Sequence, residues 1–171
     1  WYSPFRDYPD GRAKRMPTGI TYEQGSIRPS MTKCVGGSML FYAGVFFRLH
    51  ESDFATRTKA GCGTDWPISY KELEPFYDKV EIFSGASGSN KNVFEVPRAP
   101  YPNPPHPIAR GAQLFAQGAR KLGYHPAVTP MSIISRPYRG RPACTYCAQC
   151  GQGCMVGDKS SPEMTYIPAA V

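Results

Sequence analysis

The strongest hydrophobic signal in the chain is an almost unbroken apolar run from Met39 to Phe47. It is entered through Gly36-Gly37-Ser38 and closed by a charged tail from Arg48 to Asp53. Such a run is too long to sit in water and too short to cross a bilayer. It is therefore expected in the interior, directly behind whatever the glycines touch. Two adjacent glycines remove two Cβ atoms, so the backbone can turn sharply or press against a flat or phosphorylated ligand. A turn leading into a core element is the plainer alternative. Ser69-x-x-Glu72 reads as a capping box, and Leu73, Phe76, Tyr77 and Val80 follow at helical spacing. Pro75 falls inside that pattern and removes one backbone hydrogen bond, so the helix either kinks there or divides in two.

A second helix is predicted after Pro107, with Ile108, Ala112, Phe115, Ala119 and Leu122 along one face. Arg120 and Lys121 complement its C-terminal dipole, and Gly123 stops it. Between the two helices, residues 84–107 are rich in Gly, Ser, Asn and Pro, which reads as a linker or long surface loop. His125 to Ile134 has β-leaning composition and is expected to enter a sheet. Residues 1–33 are polar and show no sustained period, apart from a short strand expected near Gly19 to Tyr22. The 17 glycines and 18 prolines among 171 residues mark a loop-rich architecture, not a helical bundle.

The formal net charge is +7, with basic clusters at Arg12, Lys14 and Arg15 and at Arg136, Arg139 and Arg141. No nucleic-acid module or aromatic platform accompanies them, so no nucleic-acid partner is expected and solvated loop charge is the reading. The second cluster precedes Cys144, Cys147, Cys150 and Cys154, spaced C-x-x-C-x-x-C-x-x-x-C. Two intervening residues let consecutive thiolates converge on one ion or cluster, and Gly151 and Gly153 permit the tight turns. The spacing suits an iron–sulfur cluster of three or four irons. Zinc is an alternative, although its sites more often pair two separated C-x-x-C units. Disulfides are a third, although four cysteines in eleven residues make poor loop-closing staples. Cys34 and Cys62 stand apart and read as inert buried thiols.

Gly36-Gly37-Ser38, then Arg48, His50 and Asp53-Phe54, then Asp65-Trp66-Pro67-Ile68-Ser69-Tyr70 and Leu73-Glu74-Pro75-Phe76-Tyr77, resemble the glucose-methanol-choline oxidoreductases, in their bacterial sugar and sugar-acid dehydrogenase branch. Pro142-Ala143-Cys144, Gly151-x-Gly153-Cys154 and Lys159-Ser160-Ser161 resemble the cysteine-bearing segment of relatives that pass electrons to a cytochrome. The resemblance implies an α/β fold with α+β character in this stretch. Residues 1–95 would be the flavin-facing part of an FAD-binding domain. Residues 96–140 would be a linker, a helix and the start of a substrate domain, and 141–171 a cysteine-rich segment with the start of a returning helix. The chain is expected to be an internal fragment of a longer protein, since members of the family are several times longer and the nucleotide-binding G-x-G-x-x-G fingerprint is not in it.

Carried over position by position, Gly36, Gly37, Ser38, Phe41, Tyr42, Ala43 and Gly44 would lie against FAD. Some relatives attach the flavin covalently through a histidine at the place of Phe41, so FAD would be non-covalent here. The implied activity is oxidation of the CH–OH group of a sugar, polyol or sugar acid. Electrons would leave through a cysteine-bound iron–sulfur cluster to a cytochrome c subunit, with a small subunit in a membrane-associated, periplasm-facing complex. No catalytic residue is assigned: Arg48, His50 and Asp53 read as an ion pair and hydrogen bonds closing an element's end, and the family's catalytic histidine lies beyond this chain. Two rival readings remain: a non-enzymatic four-cysteine metal module, and a flavin alcohol oxidase whose cysteines are structural.

Overall fold

The structure is a computed structural model that describes residues 34–171. The strand expected near Gly19 to Tyr22 and the first basic cluster lie outside these residues. Five α-helices occur in order: α1 (Glu51–Phe54), α2 (Thr56–Ala60), α3 (Tyr70–Ser84), α4 (Arg110–Lys121) and α5 (Tyr166–Ala170). Three short 3-10 turns, Gly37–Phe41, Cys150–Gln152 and Pro162–Met164, complete the regular structure. No helix among the described residues is long and apolar enough to cross a membrane.

Helix α3 starts where the pattern predicts. The Ser69 hydroxyl accepts from the Glu72 amide at 3.3 Å, and the Glu72 carboxylate accepts from the Ser69 amide at 2.8 Å. Two orphan amides of the first turn are thereby satisfied. Pro75 does not divide it: one continuous helix runs through to Ser84 and ends on left-handed Gly85 (φ 76°). Helix α4 begins three residues later than Pro107 suggests, and the stripe expected to bury does not. Phe115 and Leu122 are 75% and 76% exposed, and only Ala116 of the helix is buried.

The centre is built from the stretch expected to be a linker. Ser84, Ala86, Ser87 and Asn103 are all buried. Ser87 bridges Met131 antiparallel and Asn103 parallel, Met131 also bridges Val45, and Ile133 bridges Lys159. Residues from the glycine stretch, the proline-rich stretch, the β-leaning stretch and the post-cysteine stretch thus meet around 130–134. Pairing is by isolated bridges, which leaves many buried carbonyls that no ladder satisfies. Short polar side chains take that role. The Ser87 hydroxyl donates to the Ile133 carbonyl at 2.7 Å, the Asn103 amide to Gly85 at 2.9 Å, and the Ser160 hydroxyl to Ser84 at 2.6 Å. The apolar run from Met39 to Phe47, expected inside, contributes only Gly44 to the buried set, with Met39, Val45 and Phe47 exposed.

Candidate functional site

The glycine stretch forms a left-handed entry (Gly36, φ 86°; Gly37, φ 59°) into the 3-10 turn Gly37–Phe41. A Cβ on Gly36 would stand 2.5 Å from Leu40 Cδ1 and 2.8 Å from Glu163 Oε2, so side chains already fill that approach. Gly37 is different: nothing lies within 4 Å of the place its Cβ would take. Gly44, also left-handed (φ 84°), presses on Ile133, whose Cδ1 lies 2.7 Å from the Cβ position. Its thinness serves core packing. Ser38 and Ala43 are exposed, and Phe41 and Tyr42 are half-buried. Glu163 Oε2, facing Gly36, is a buried oxygen with no hydrogen-bond partner among the described residues.

All four clustered cysteines line one cavity of about 680 Å³, whose opposite wall is the face of α4 carrying Ala112, Phe115 and Ala116. Of the stripe, Ile108, Ala112 and Phe115 line the cavity. Cys144, Cys150 and Cys154 are half-buried and Cys147 is exposed. Two residues between them, Tyr146 (φ 57°) and Ala148 (φ 58°), hold left-handed backbone without being glycine. That conformation costs on the order of 1–2 kcal/mol per residue and curls the loop around its thiols. The Tyr146 amide donates to Cys144 Sγ at 3.4 Å, and Cys154 Sγ donates to Asp158 Oδ1 at 2.9 Å. Burial pushes the Cys144 thiol up to about 11 and raises that of Cys150. At about 11, Cys144 is a thiol at neutral pH. Among the described residues, no three His, Cys, Asp or Glu side chains converge as a metal site. The donor chemistry suits a metal or cluster, but the sulfurs as placed do not form its ligand set. Cys34 is half-buried and Cys62 exposed, so the expectation that both are buried is corrected.

Lys159 joins the two regions. Its side chain is fully buried, and its Nζ donates to the carbonyls of Leu40 (2.6 Å), Tyr42 (3.0 Å) and Cys150 (2.6 Å). It also lies 5.1 Å from the centre of the Tyr42 ring. Burial lowers its pKa, against the upward pull of the Cys150 and Cys154 sulfurs. Arg141, half-buried beside it, donates to Ser160 Oγ at 2.9 Å and to the Ser84 carbonyl.

A second buried cation, Arg48, is tied to the C-terminal half of α3. Arg48 donates from Nε to Glu81 Oε1 (2.8 Å), from Nη2 to Glu81 Oε2 (2.7 Å) and Asp78 (2.5 Å), and from Nη1 to Tyr70 (3.1 Å). Arg98 also binds Glu81 Oε2 and stacks 3.3 Å from the centre of the Tyr101 ring. Burial alone would lower the Arg48 pKa, but the Glu81, Asp78 and Tyr70 contacts raise it overall. The expected ion pair is thus present with different partners, since Asp53 instead accepts from the His50 amide at 2.7 Å to cap α1. His106 bonds the Ile133 carbonyl through Nε2 at 2.9 Å and faces Tyr146 edge-on.

Sequence reasoning missed Glu81, Asp158 and Lys159 as individual actors. Glu81 follows the helical pattern as an ordinary polar position. Asp158-Lys159-Ser160-Ser161 has the composition of a surface turn, and only its resemblance to a family segment marked it.

No family model matches the chain. Curated relatives do. The chain is 34% identical over 145 residues to the fructose dehydrogenase large subunit of Gluconobacter japonicus, covering 82% of this chain and 26% of that protein. It is 37% identical over 154 residues to 2-methyl-1,2-propanediol dehydrogenase of Mycolicibacterium austroafricanum (86% and 27%). It is 32% identical over 166 residues to the gluconate 2-dehydrogenase flavoprotein of Pantoea cypripedii (78% and 27%). These relatives are glucose-methanol-choline flavoproteins, and the chain resembles them over most of its length. It spans about a quarter of the length of the curated relatives it matches.

Proposed function

We propose that the chain is the part of an FAD-dependent dehydrogenase that lies between flavin and electron acceptor, in an enzyme oxidising a CH–OH group of a sugar, polyol or sugar acid. The likeness to three named dehydrogenases over about four fifths of the chain carries the reading. Bound FAD supplies a hydride acceptor. The α/β FAD-binding fold belongs to this proposal, as do the seven positions from Gly36 to Gly44. Gly37 is where the chain fits a flat ligand best, being left-handed, bare of neighbours and at the head of the turn. Gly36 is screened by Leu40 and Glu163, so close approach of main chain to ligand narrows to one glycine. Tyr42, held beneath the turn by Lys159, supports it from the core side.

The cysteine loop is proposed as the side from which electrons leave, toward a cytochrome-bearing partner, on the strength of its four sulfurs lining one cavity. Its thiols do not stand as a ligand set, so an iron–sulfur cluster there requires the loop to rearrange as the metal enters. A second reading, an oxidase whose cysteines are structural, is favoured by that placement. One experiment separates the readings: an absorption spectrum of the purified full-length protein, with iron and zinc analysis and a peroxide assay during turnover. Flavin bands with iron and no peroxide support the dehydrogenase. Flavin with peroxide and no metal supports the oxidase. Metal without flavin overturns both.

A further inference from the structure

We propose that Lys159 is a positioning residue whose ammonium fixes the glycine turn and the cysteine loop relative to each other. Its functional weight rests on the reading above, but its structural core does not. A primary ammonium has three N–H donors, and all three are used on main-chain carbonyls: Leu40 and Tyr42 from the glycine stretch, and Cys150 from the cysteine loop. The lysine backbone is itself anchored in the centre, bridging Ile133. The flanking bonds from the Ile134 amide to Asp158 and from the Ser160 amide to Ser132 lock that anchor. One fully buried side chain thus rises from the core and clasps two segments separated by more than a hundred positions.

Two features make the clasp specific to a cation. Carbonyl oxygens only accept, so a neutral apolar side chain of equal length would strand all three. No carboxylate among the described residues stands within ion-pair distance of Nζ, so the acceptors are dipoles and the Tyr42 ring. The two 3-10 turns lie against each other, and a Cβ on Gly151 would meet the Phe41 carbonyl at 3.9 Å. Under the proposed function, the segment beneath the flavin and the segment bearing the thiols keep their spacing because a single ammonium sits between them.

The test uses the full-length protein, stripped of metal by chelation, and compares the native residue with Lys159→Met and Lys159→Ala. Hydrogen exchange is followed in peptides covering 37–44, 148–154 and α3, together with the rate at which iodoacetamide alkylates Cys150. In Lys159→Met, exchange in the first two peptides is expected to accelerate together by about tenfold or more, the equivalent of losing one or more net hydrogen bonds. Exchange of α3 should stay unchanged and Cys150 should alkylate faster. In Lys159→Ala, added n-propylammonium should restore slow exchange in both peptides, and n-propanol should not. Acceleration of only one peptide, a uniform rise that includes α3, or equal rescue by the alcohol would each overturn the proposal. A protein that shows the coupled exchange but binds no flavin would sink the proposed function while leaving the clasp standing. Flavin binding without the coupling would do the reverse.

Discussion

Among the described residues, Arg48 and Lys159 are buried cations neutralised in opposite ways. Arg48 meets formal charge: the Glu81 carboxylate takes two of its N–H groups, Asp78 a third, and Tyr70 completes the fork. Lys159 has no carboxylate within ion-pair distance among the described residues, and its ammonium meets three carbonyl dipoles and an aromatic face. The guanidinium is planar and suited to a bidentate carboxylate, whereas the ammonium is a compact point charge with three radiating donors. The arginine cluster therefore closes its own field and ties α3 to its flanking loops. The lysine sets its ammonium against the Cys150 carbonyl, beside a loop that also holds the Asp158 carboxylate. The first is a structural tie. The second is placed where charge can matter to chemistry.

The most damaging way to break this contrast is Glu81→Gln. The change keeps the volume but leaves Arg48 and Arg98 sharing Asp78 and Glu95 as their remaining anionic partners. Breaking a buried pair by removing one partner costs about 3–5 kcal/mol, and chemical denaturation of the protein should register a loss of that order. Lys159→Met removes the ion together with its bonds and strands only carbonyls. Each stranded carbonyl costs about 1–3 kcal/mol, but removing the buried ion recovers its desolvation cost, on the order of several kcal/mol, so in the same assay the net loss should be smaller than that of Glu81→Gln. Equal losses would show that the two cations are held by the same physics, and the comparison would fail.

Gly88→Ala probes how rigid the arginine side is. A Cβ there would stand 2.5 Å from Tyr101 Cε2. That ring cannot easily swing away, because Arg98 lies on its face and its hydroxyl donates to Glu95 at 2.9 Å. Overpacking of this kind costs about 1–3 kcal/mol. A loss below that range, measured by thermal unfolding, would mean that the Arg98–Tyr101 stack yields. Tyr70→Phe is milder. It deletes one neutral donor–acceptor group from the Arg48 fork and its 3.3 Å bond to the Pro97 carbonyl, and should cost about 1 kcal/mol.

The two cations also show which parts of the molecule could be read from sequence. Helix α3 was legible because its determinants are local: a capping box, a 3.6-residue apolar period and a glycine stop. Pro75 left kink and break open, and the structure shows one continuous helix through it. Helix α4 was legible as a helix, but its stripe pointed to a core and the structure gives it a cavity instead. Periodicity reports which face is apolar, not what covers it. The centre itself was illegible. Ser84 to Gly88 and Asn103 carry the composition of a loop, and only three-dimensional pairing with 130–134 shows them to be interior. The cysteines were legible as a set sharing one cavity, but spacing does not disclose whether the sulfurs converge, and as placed they do not.

The smallest expected effect falls on Ser69→Ala, which lies at the far end of α3 from Glu81 and serves as the control for the series. Removing the hydroxyl leaves the Glu72 amide without its cap, a loss of about 1 kcal/mol. Its pH dependence can be signed. The Ser69 hydroxyl and then its amide hold the Glu72 carboxyl below the usual range. A depressed carboxyl contributes stability that is present above its unfolded pKa and is lost as pH falls through its folded one. That contribution depends partly on the serine hydroxyl, so the gap between native protein and variant should narrow as acid protonates Glu72, and widen again toward neutrality. Unfolding curves at a series of pH values would show it. A gap that stays constant through the acid range would mean that the 2.7 Å bond from the Ser69 hydroxyl to the Glu72 carboxylate adds nothing, and that the hydroxyl acts only by accepting from the Glu72 amide.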